Sequence, residues 1–166
     1  MSMKLIIGLG NPGDGYVNSR HNAGHVFVDE LQKDKLPTGT IVKKTDTFMN
    51  ESGVFVKKMV NKYKIEPSNL YIVHDDLDIK LGEYKIQFGK GPKGHNGILD
   101  IEDKLRTKDF WRVRIGTENR ELPTGTEAMV CEKYVLQNFS DDEKMILEGT
   151  IKEACKKLET SLINTN

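Results

Sequence analysis

The sequence predicts an α/β fold: a single-domain, three-layer sandwich in which helices flank a mixed, largely parallel sheet. Two short apolar runs, Lys4-Leu5-Ile6-Ile7 and Leu70-Tyr71-Ile72-Val73, have the length and apolarity of buried strands. Between and after them, apolar residues recur at helical spacing. Val26, Phe27 and Leu31 form one such face, Val56, Met59, Val60 and Tyr63 a second, and Leu147, Ile151, Ala154, Leu158 and Leu162 a third. Strands alternating with helices call for a parallel sheet, with functional groups in the loops beyond the carboxyl ends of its strands.

Taken in order, Lys4 to Ile7 stop at a glycine loop, and a helix begins near Asn22. Thr40-Ile41-Val42-Lys43-Lys44-Thr45 is β-rich. Asn50 reads as the N-cap of the second helix, and Pro67 ends that unit. The strand at Leu70 runs into acids, His74-Asp75-Asp76-Leu77-Asp78, so that Asp75, like Asn11, is expected just past a strand. Glu83-Tyr84-Lys85-Ile86-Gln87-Phe88 alternates as a strand exposed on one side, and Trp111-Arg112-Val113-Arg114-Ile115 does the same. Residues 96–105 suit a short helix. Ser140-Asp141-Asp142-Glu143 is a capping box ahead of the last helical face. Residues 32–39 and 119–126 carry the least pattern.

A chain of 166 residues with 37% hydrophobic and 30% charged content fits one domain, spanning 1–166, whose core needs no disulfide support. No stretch approaches the ~18 apolar residues of a membrane span, so no membrane partner is expected. Met-Ser-Met-Lys has no apolar region of signal-peptide length behind it, and the expected compartment is the cytoplasm. Cys131 and Cys155 are isolated thiols, expected reduced. The formal net charge is +0, which argues against a protein that coats nucleic acid in bulk. The distribution is uneven, however: residues 80–114 carry nine Lys and Arg against five Asp and Glu. A local basic face is compatible with that excess.

Four glycine-rich turns carry an Asn or a His: Gly8-Leu9-Gly10-Asn11-Pro12-Gly13, Arg20-His21-Asn22-Ala23-Gly24, Thr47-Phe48-Met49-Asn50-Glu51-Ser52-Gly53 and Gly94-His95-Asn96-Gly97. Glycine permits close backbone approach, and a carboxamide both donates and accepts. The first turn matches the dinucleotide fingerprint, yet no helical pattern follows it directly and the ribose-binding acid is missing, so no such cofactor is expected. His21 and His25 are four apart, but the glutamate of HExxH is absent and Gly24 lies between them. His25 reads as an ordinary helix residue, Asp76 and Asp78 as a solvated turn, and no metal is expected. There is no G-x-S-x-G elbow, so water is the simplest nucleophile. A His oriented by an Asp can activate that water, and carboxamides can grip an acyl group and its oxyanion. These residues point to a hydrolase acting on an acyl bond.

These segments, in this order, resemble the bacterial-type peptidyl-tRNA hydrolase family from about Lys4 to Gly116, including Phe110-Trp111-Arg112-Val113-Arg114-Ile115-Gly116, similar to the family's FxRxRIG strand. The resemblance implies cleavage of the ester between a peptide and the 3′ ribose of tRNA, without metal or cofactor, usually by a monomer. It implies that His21 is the general base, that Asp75 keeps it basic and that Asn11 discriminates N-blocked from free aminoacyl-tRNA. Substrate contacts map to Tyr16, Phe48, Asn50 and Asn96, with Met49 beside them. Arg114 matches one member of a clamp for the tRNA 5′ phosphate; its lysine partner stands here as Gln87, with Lys85, Lys90 and Lys93 as candidate replacements. Between Gly24 and Thr47 the chain is shorter than typical members by about a hairpin, so a smaller sheet is expected. Its exposed edge would then need a cover, for which the C-terminal helix is a candidate. The family also includes RNA-binding relatives without hydrolase activity. The alternative reading places this chain among them, although the full His–Asp–Asn set favours the enzyme.

Overall fold

The computed structural model describes residues 2–120 and 127–164. The first apolar run is strand β1 (Lys4–Gly8), buried along its whole length. A 3-10 turn at Arg20–Asn22 leads into helix α1 (Ala23–Leu31), followed by β2 (Thr40–Lys44). A second 3-10 turn, Met49–Glu51, opens α2 (Ser52–Tyr63). Then come β3 (Leu70–Lys80), β4 (Tyr84–Phe88), α3 (Asn96–Leu105), β5 (Trp111–Glu118), α4 (Glu127–Leu136) and α5 (Asp141–Asn164).

The five strands lie in the order β2-β1-β3-β5-β4. β1 pairs in parallel with β2 and β3, and β3 with β5; β4 runs antiparallel to β5. Successive side chains of a strand point to opposite faces, and this alternation builds two cores. On one face Ile6, Tyr71, Val73, Val113 and Ile115 pack with Phe27 and Leu31 of α1 and Leu147, Ile151, Ala154, Leu158 and Leu162 of α5. On the other, Leu5, Ile7, Leu70 and Ile72 pack with Val56 and Met59 of α2 and Ile98 and Ile101 of α3. This is the expected three-layer sandwich with a mixed, largely parallel sheet. The capping box also forms: the Ser140 N–H donates to Glu143 Oε1 at 3.0 Å and the Glu143 N–H to Ser140 Oγ at 3.2 Å.

Four local expectations are corrected. β3 does not stop at Val73, because β5 goes on pairing with it, Asp75 opposite Ile115 and Asp76 opposite Gly116. β1 has by then ended, with Gly8 opposite Val73 and the Leu9 N–H donating to the Val73 carbonyl. Asp75 therefore lies inside a strand, at a level where the β1 side of β3 is open. Asp76 and Asp78 are likewise strand residues, and Asp76 is buried. Second, Asn50 caps nothing: it sits inside the 3-10 turn with its side chain exposed, and that turn has no side-chain cap bond.

Third, α4 has no counterpart in the sequence reading, since Tyr134 is the one buried residue in its described half and leaves no stripe to read. Finally, α5 covers a sheet face and not the shortened edge. Its apolar stripe is used on Ile6, Tyr71 and Val113, leaving β2 as an edge that ends in the exposed Lys43 and Lys44.

Candidate active site

The glycines of the first two turns serve the chain itself. A Cβ on Gly8 would strike the carbonyl of Gly24, and one on Gly24 would strike the backbone of Leu9 and Val73. With neither Cβ present, the start of α1 lies directly on the end of β1 and on Val73 within β3, and the Arg20–Asn22 turn reaches Asp75.

His21 Nδ1 lies 2.7 Å from Asp75 Oδ2, and His95 Nε2 lies 2.8 Å from Asp75 Oδ1. The tautomers follow from the donors around them. His95 is the N-cap of α3, and its Nδ1 accepts from the N–H groups of Gly97 at 3.1 Å and Ile98 at 3.3 Å. That nitrogen carries no proton, so Nε2 does and donates to Asp75. The second carboxylate oxygen accepts from His21 Nδ1–H. His21 Nε2 is left as a bare acceptor without a bond to any described residue. It faces a cavity of about 370 Å³ lined by Asp75, Asp78, His95, Asn96, Cys131 and Glu132 among others. The donor atoms of His21, Asp75 and His95 lie within 4.8 Å of one another, a spacing that their own hydrogen bonds account for.

Burial disfavours the charged imidazole of His21, but the charge and hydrogen bond of Asp75 outweigh it and raise its pKa above the ordinary 6.5. Burial also works against the Asp75 carboxylate. There the electrostatic interaction with the His21 and His95 imidazoles, together with the hydrogen bonds they donate, wins and holds it far below the usual carboxylate range. His74 packs edge-on against His95, ring centroids 5.0 Å apart, and its Nδ1–H donates to the Asp75 carbonyl at 2.7 Å. Complete burial, then the neighbouring His95, lowers His74 to about 3, so it is neutral.

The remaining candidates fall into two groups. Asn96, the first residue of α3, lines the cavity with His21 and Asp75. Asn11 belongs to an adjoining group. Its Oδ1 accepts from the Met49 N–H at 2.7 Å, and Asn22, next to His21, grips its backbone from both sides, at 2.9 and 3.0 Å. Because Oδ1 is the bound acceptor, the free end of Asn11 is its Nδ2 donor. Asn50 follows Met49 in the turn, and Tyr16 and Phe48 meet edge to face, 6.1 Å apart, with Phe48 half exposed. Gly97 joins the two groups, since Met49 Sδ and the His95 ring both lie where its Cβ would stand.

Arg114 stands apart from both groups. Its Nε donates to Asp76 Oδ2 at 2.6 Å and its Nη1 to Gln87 Oε1 at 2.8 Å, while Gly91 packs directly on the guanidinium. Lys85, Lys90 and Lys93, close in the chain to Gln87 and Gly91, are exposed. His25, four residues from His21, turns away from it: its Nε2 bonds Thr45 Oγ1 at 3.0 Å, and burial lowers its pKa to about 4.

Sequence reasoning missed His95 and Asn22. Both stand in the quoted motifs, and the position of His95 directly before a helix was the available signal for a capping acceptor.

Fold and site together define an α/β protein in which a strand carboxylate, a turn imidazole and a helix-capping imidazole form a hydrogen-bonded chain at a cavity. The peptidyl-tRNA hydrolase family model matches residues 5–165, and the chain belongs to that family. It is 39% identical to the peptidyl-tRNA hydrolase of Mycoplasmopsis synoviae over 92% of this chain and 86% of that protein. With the peptidyl-tRNA hydrolase of Neisseria meningitidis serogroup A it shares 42% identity over 95% of this chain and 89% of that one. The crystal structure of peptidyl-tRNA hydrolase from Acinetobacter baumannii superposes with a TM-score of 0.83 at 29% identity, covering 98% of this chain and 90% of that one.

Proposed function

We propose that this chain hydrolyses the ester between a peptide, or an N-blocked aminoacyl group, and the 3′ ribose of tRNA, recycling tRNA from prematurely released peptidyl-tRNA. The observation that carries the reading is the 2.7 Å bond from His21 Nδ1 to Asp75, with Nε2 left bare at the cavity. Nε2 takes a proton from water as the oxygen attacks the ester carbonyl. Asp75 stabilises the imidazolium, and its bond to His95 holds the carboxylate in place. Collapse of the tetrahedral intermediate breaks the bond to the ribose 3′ oxygen, which takes the proton back from His21. Carboxamide donors, Asn11 and Asn96 foremost, serve the acyl group and its developing oxyanion.

The orientation of Asn11 supports its assignment to substrate choice. Nδ2 offers a donor, which suits the carbonyl of an N-acylated substrate and opposes the ammonium of a free aminoacyl group. Tyr16, Phe48 and Asn50, with the buried Met49 beside them, form the adjoining surface for the 3′ end of tRNA. The acceptor stem runs along the basic face of Lys85, Lys90 and Lys93, with Arg114 reaching a phosphate through Nη2, the guanidinium nitrogen that bonds no described residue. The protein acts as a cytoplasmic monomer; no described helix is long and apolar enough to cross a membrane.

The test is release of peptide from N-acetyl-aminoacyl-tRNA, with unblocked aminoacyl-tRNA as control. Turnover of the blocked substrate, lost in His21→Ala with tRNA binding retained, supports the reading. Binding without release by the unaltered protein would make it an RNA-binding relative.

A further inference from the structure

Arg20 precedes His21 in the same 3-10 turn, and its side chain is 6% exposed. The guanidinium lies 4.2 Å from the Tyr134 ring centroid and 5.0 Å from that of Phe139. Nη2 donates to Glu143 Oε1 at 3.1 Å, while Nε and Nη1 are buried with no acceptor among the described residues. The aromatic faces meet that charge in place of acceptors.

Everything that holds this guanidinium is itself anchored. Glu143 accepts from the Ser140 N–H through Oε1 and from Asn119 Nδ2, at 3.1 Å, through Oε2. The Tyr134 hydroxyl accepts from the Asn119 N–H at 3.1 Å, and Arg120 lies over the same ring at 4.2 Å. The main chain is tied in parallel: the Arg20 N–H donates to the Gln137 carbonyl and the Phe139 N–H to the Asn18 carbonyl, both at 3.0 Å. The end of β5, the last turn of α4 and the first turn of α5 thus converge on the residue beside His21. α4 in turn carries Cys131, Glu132 and Val135 on the cavity wall.

We propose that Arg20 is a positioning residue that locks the turn bearing His21 to the α4 wall of the cavity, fixing the gap in which the ester is held against His21. This rests on the hydrolase reading above. A planar cation stacked on two rings and bonded at one edge sets both distance and angle. A lysine ammonium in the same slot keeps the charge but not the plane.

The experiment measures kcat and KM on N-acetyl-aminoacyl-tRNA for Arg20→Lys, for Glu143→Gln and for the double variant Arg20→Met/Glu143→Gln. The double variant leaves no buried carboxylate unpaired. Each is assayed well below its own Tm, beside the unaltered chain. A displacement of about 1 Å costs about 10²-fold in rate. The expected result is a fall in kcat of about that size for Arg20→Lys and the double variant, and a smaller fall for Glu143→Gln. KM should rise less than kcat falls, and deacylated tRNA should bind as before. Unaltered kcat in those variants that fold, whatever their Tm, would overturn the proposal and leave Arg20 as a stabilising contact alone. An unaltered chain that releases no peptide refutes the hydrolase reading instead, so the two failures are distinct.

Discussion

Asp75 and Asp76 follow one another in β3, and each is about 1% exposed, yet they sit in opposite kinds of cluster. Asp75 accepts from two imidazoles, His21 and His95, which hold it ionised against the effect of burial. Asp76 accepts from Arg114 and from the N–H of Asp78, and burial still pushes its carboxyl up. The first cluster ends in a nitrogen with no partner among the described residues, His21 Nε2, facing a cavity. In the second, Asp76 and Gln87 occupy two of the three guanidinium nitrogens of Arg114 and Gly91 covers its plane. Two carboxylates of equal burial can thus do different work. What separates them is that His21 keeps a nitrogen able to accept a proton, whereas the nitrogens of Arg114 can only donate.

Breaking the open cluster should have the largest effect. Asp75→Asn keeps the shape but offers His21 an amide, releasing the tautomer, and a fall of about 10⁴-fold in kcat is expected, as in a catalytic triad. His21→Ala removes the base that Asp75 serves and should cost at least as much. The pH profile sharpens the point. The unaltered enzyme should gain activity as pH rises through an apparent pKa above 6.5, since His21 is raised and must be neutral to accept a proton. The residual activity of Asp75→Asn should move to lower pH. An acid limb that stays in place would separate Asp75 from His21. The same shift contributes stability that is fully present below 6.5 and is lost as pH rises through the folded pKa. Thermal melts across that window should therefore fall less steeply in the Asp75→Asn protein.

Breaking the closed cluster should act on stability first. Arg114→Ala strands a buried carboxylate, and loss of one partner from such a pair costs about 3–5 kcal/mol. Arg114→Ala combined with Asp76→Asn should recover much of that in a denaturant titration. Comparing tRNA with and without its 5′ phosphate then tests the clamp. A guanidinium already bound at two nitrogens should give a weak phosphate dependence, and an equal response in wild type and Arg114→Ala would show that Arg114 does not read the phosphate. Substituting Lys85, Lys90 and Lys93 should make tRNA binding less sensitive to salt. On duplex regions the log–log slope should fall by about 0.9 for each phosphate that the variant no longer neutralises.

Asn11→Asp tests the same contrast on a smaller scale. Aspartate still accepts from the Met49 N–H but presents an oxygen where Nδ2 stood. Discrimination between blocked and unblocked substrate should narrow, mostly through faster turnover of the unblocked one; unchanged selectivity would mean that the free end of Asn11 does not touch the α-amino group.

Much of this was legible in the sequence because it depends on short-range pattern. The apolar runs at Lys4 and Leu70 gave two central strands, and the face from Leu147 to Leu162 gave α5. The sequence also pointed to the His21–Asp75 pair, through its resemblance to a family with ordered motifs. What escaped depends on pairing across the sheet. β3 continues to Lys80 because β5 stays beside it after β1 has stopped at Gly8, and no local property of His74-Asp75-Asp76 announces that. The same holds for Asp76, whose burial is set by Arg114 arriving from a strand 38 residues away. His95 was hidden differently: its role needs two bonds at once, to helix amides on one nitrogen and to Asp75 on the other.

The smallest expected effect is that of Asn50 on stability, and it tests whether an unused polar group is a reliable mark of a substrate contact. The sequence reads Asn50 as a helix cap, and truncating such a cap costs about 1 kcal/mol. The structure places it within the Met49–Glu51 turn, exposed and without a cap bond, while Ser52 Oγ donates to the Met49 carbonyl at 2.7 Å inside the same segment. Asn50→Ala should therefore leave Tm nearly unchanged and lower kcat/KM on blocked substrate, whereas Ser52→Ala should lower Tm. The reverse pattern, a destabilised Asn50→Ala protein with normal kcat/KM, would return Asn50 to the architecture and remove it from the surface that meets the 3′ end of tRNA.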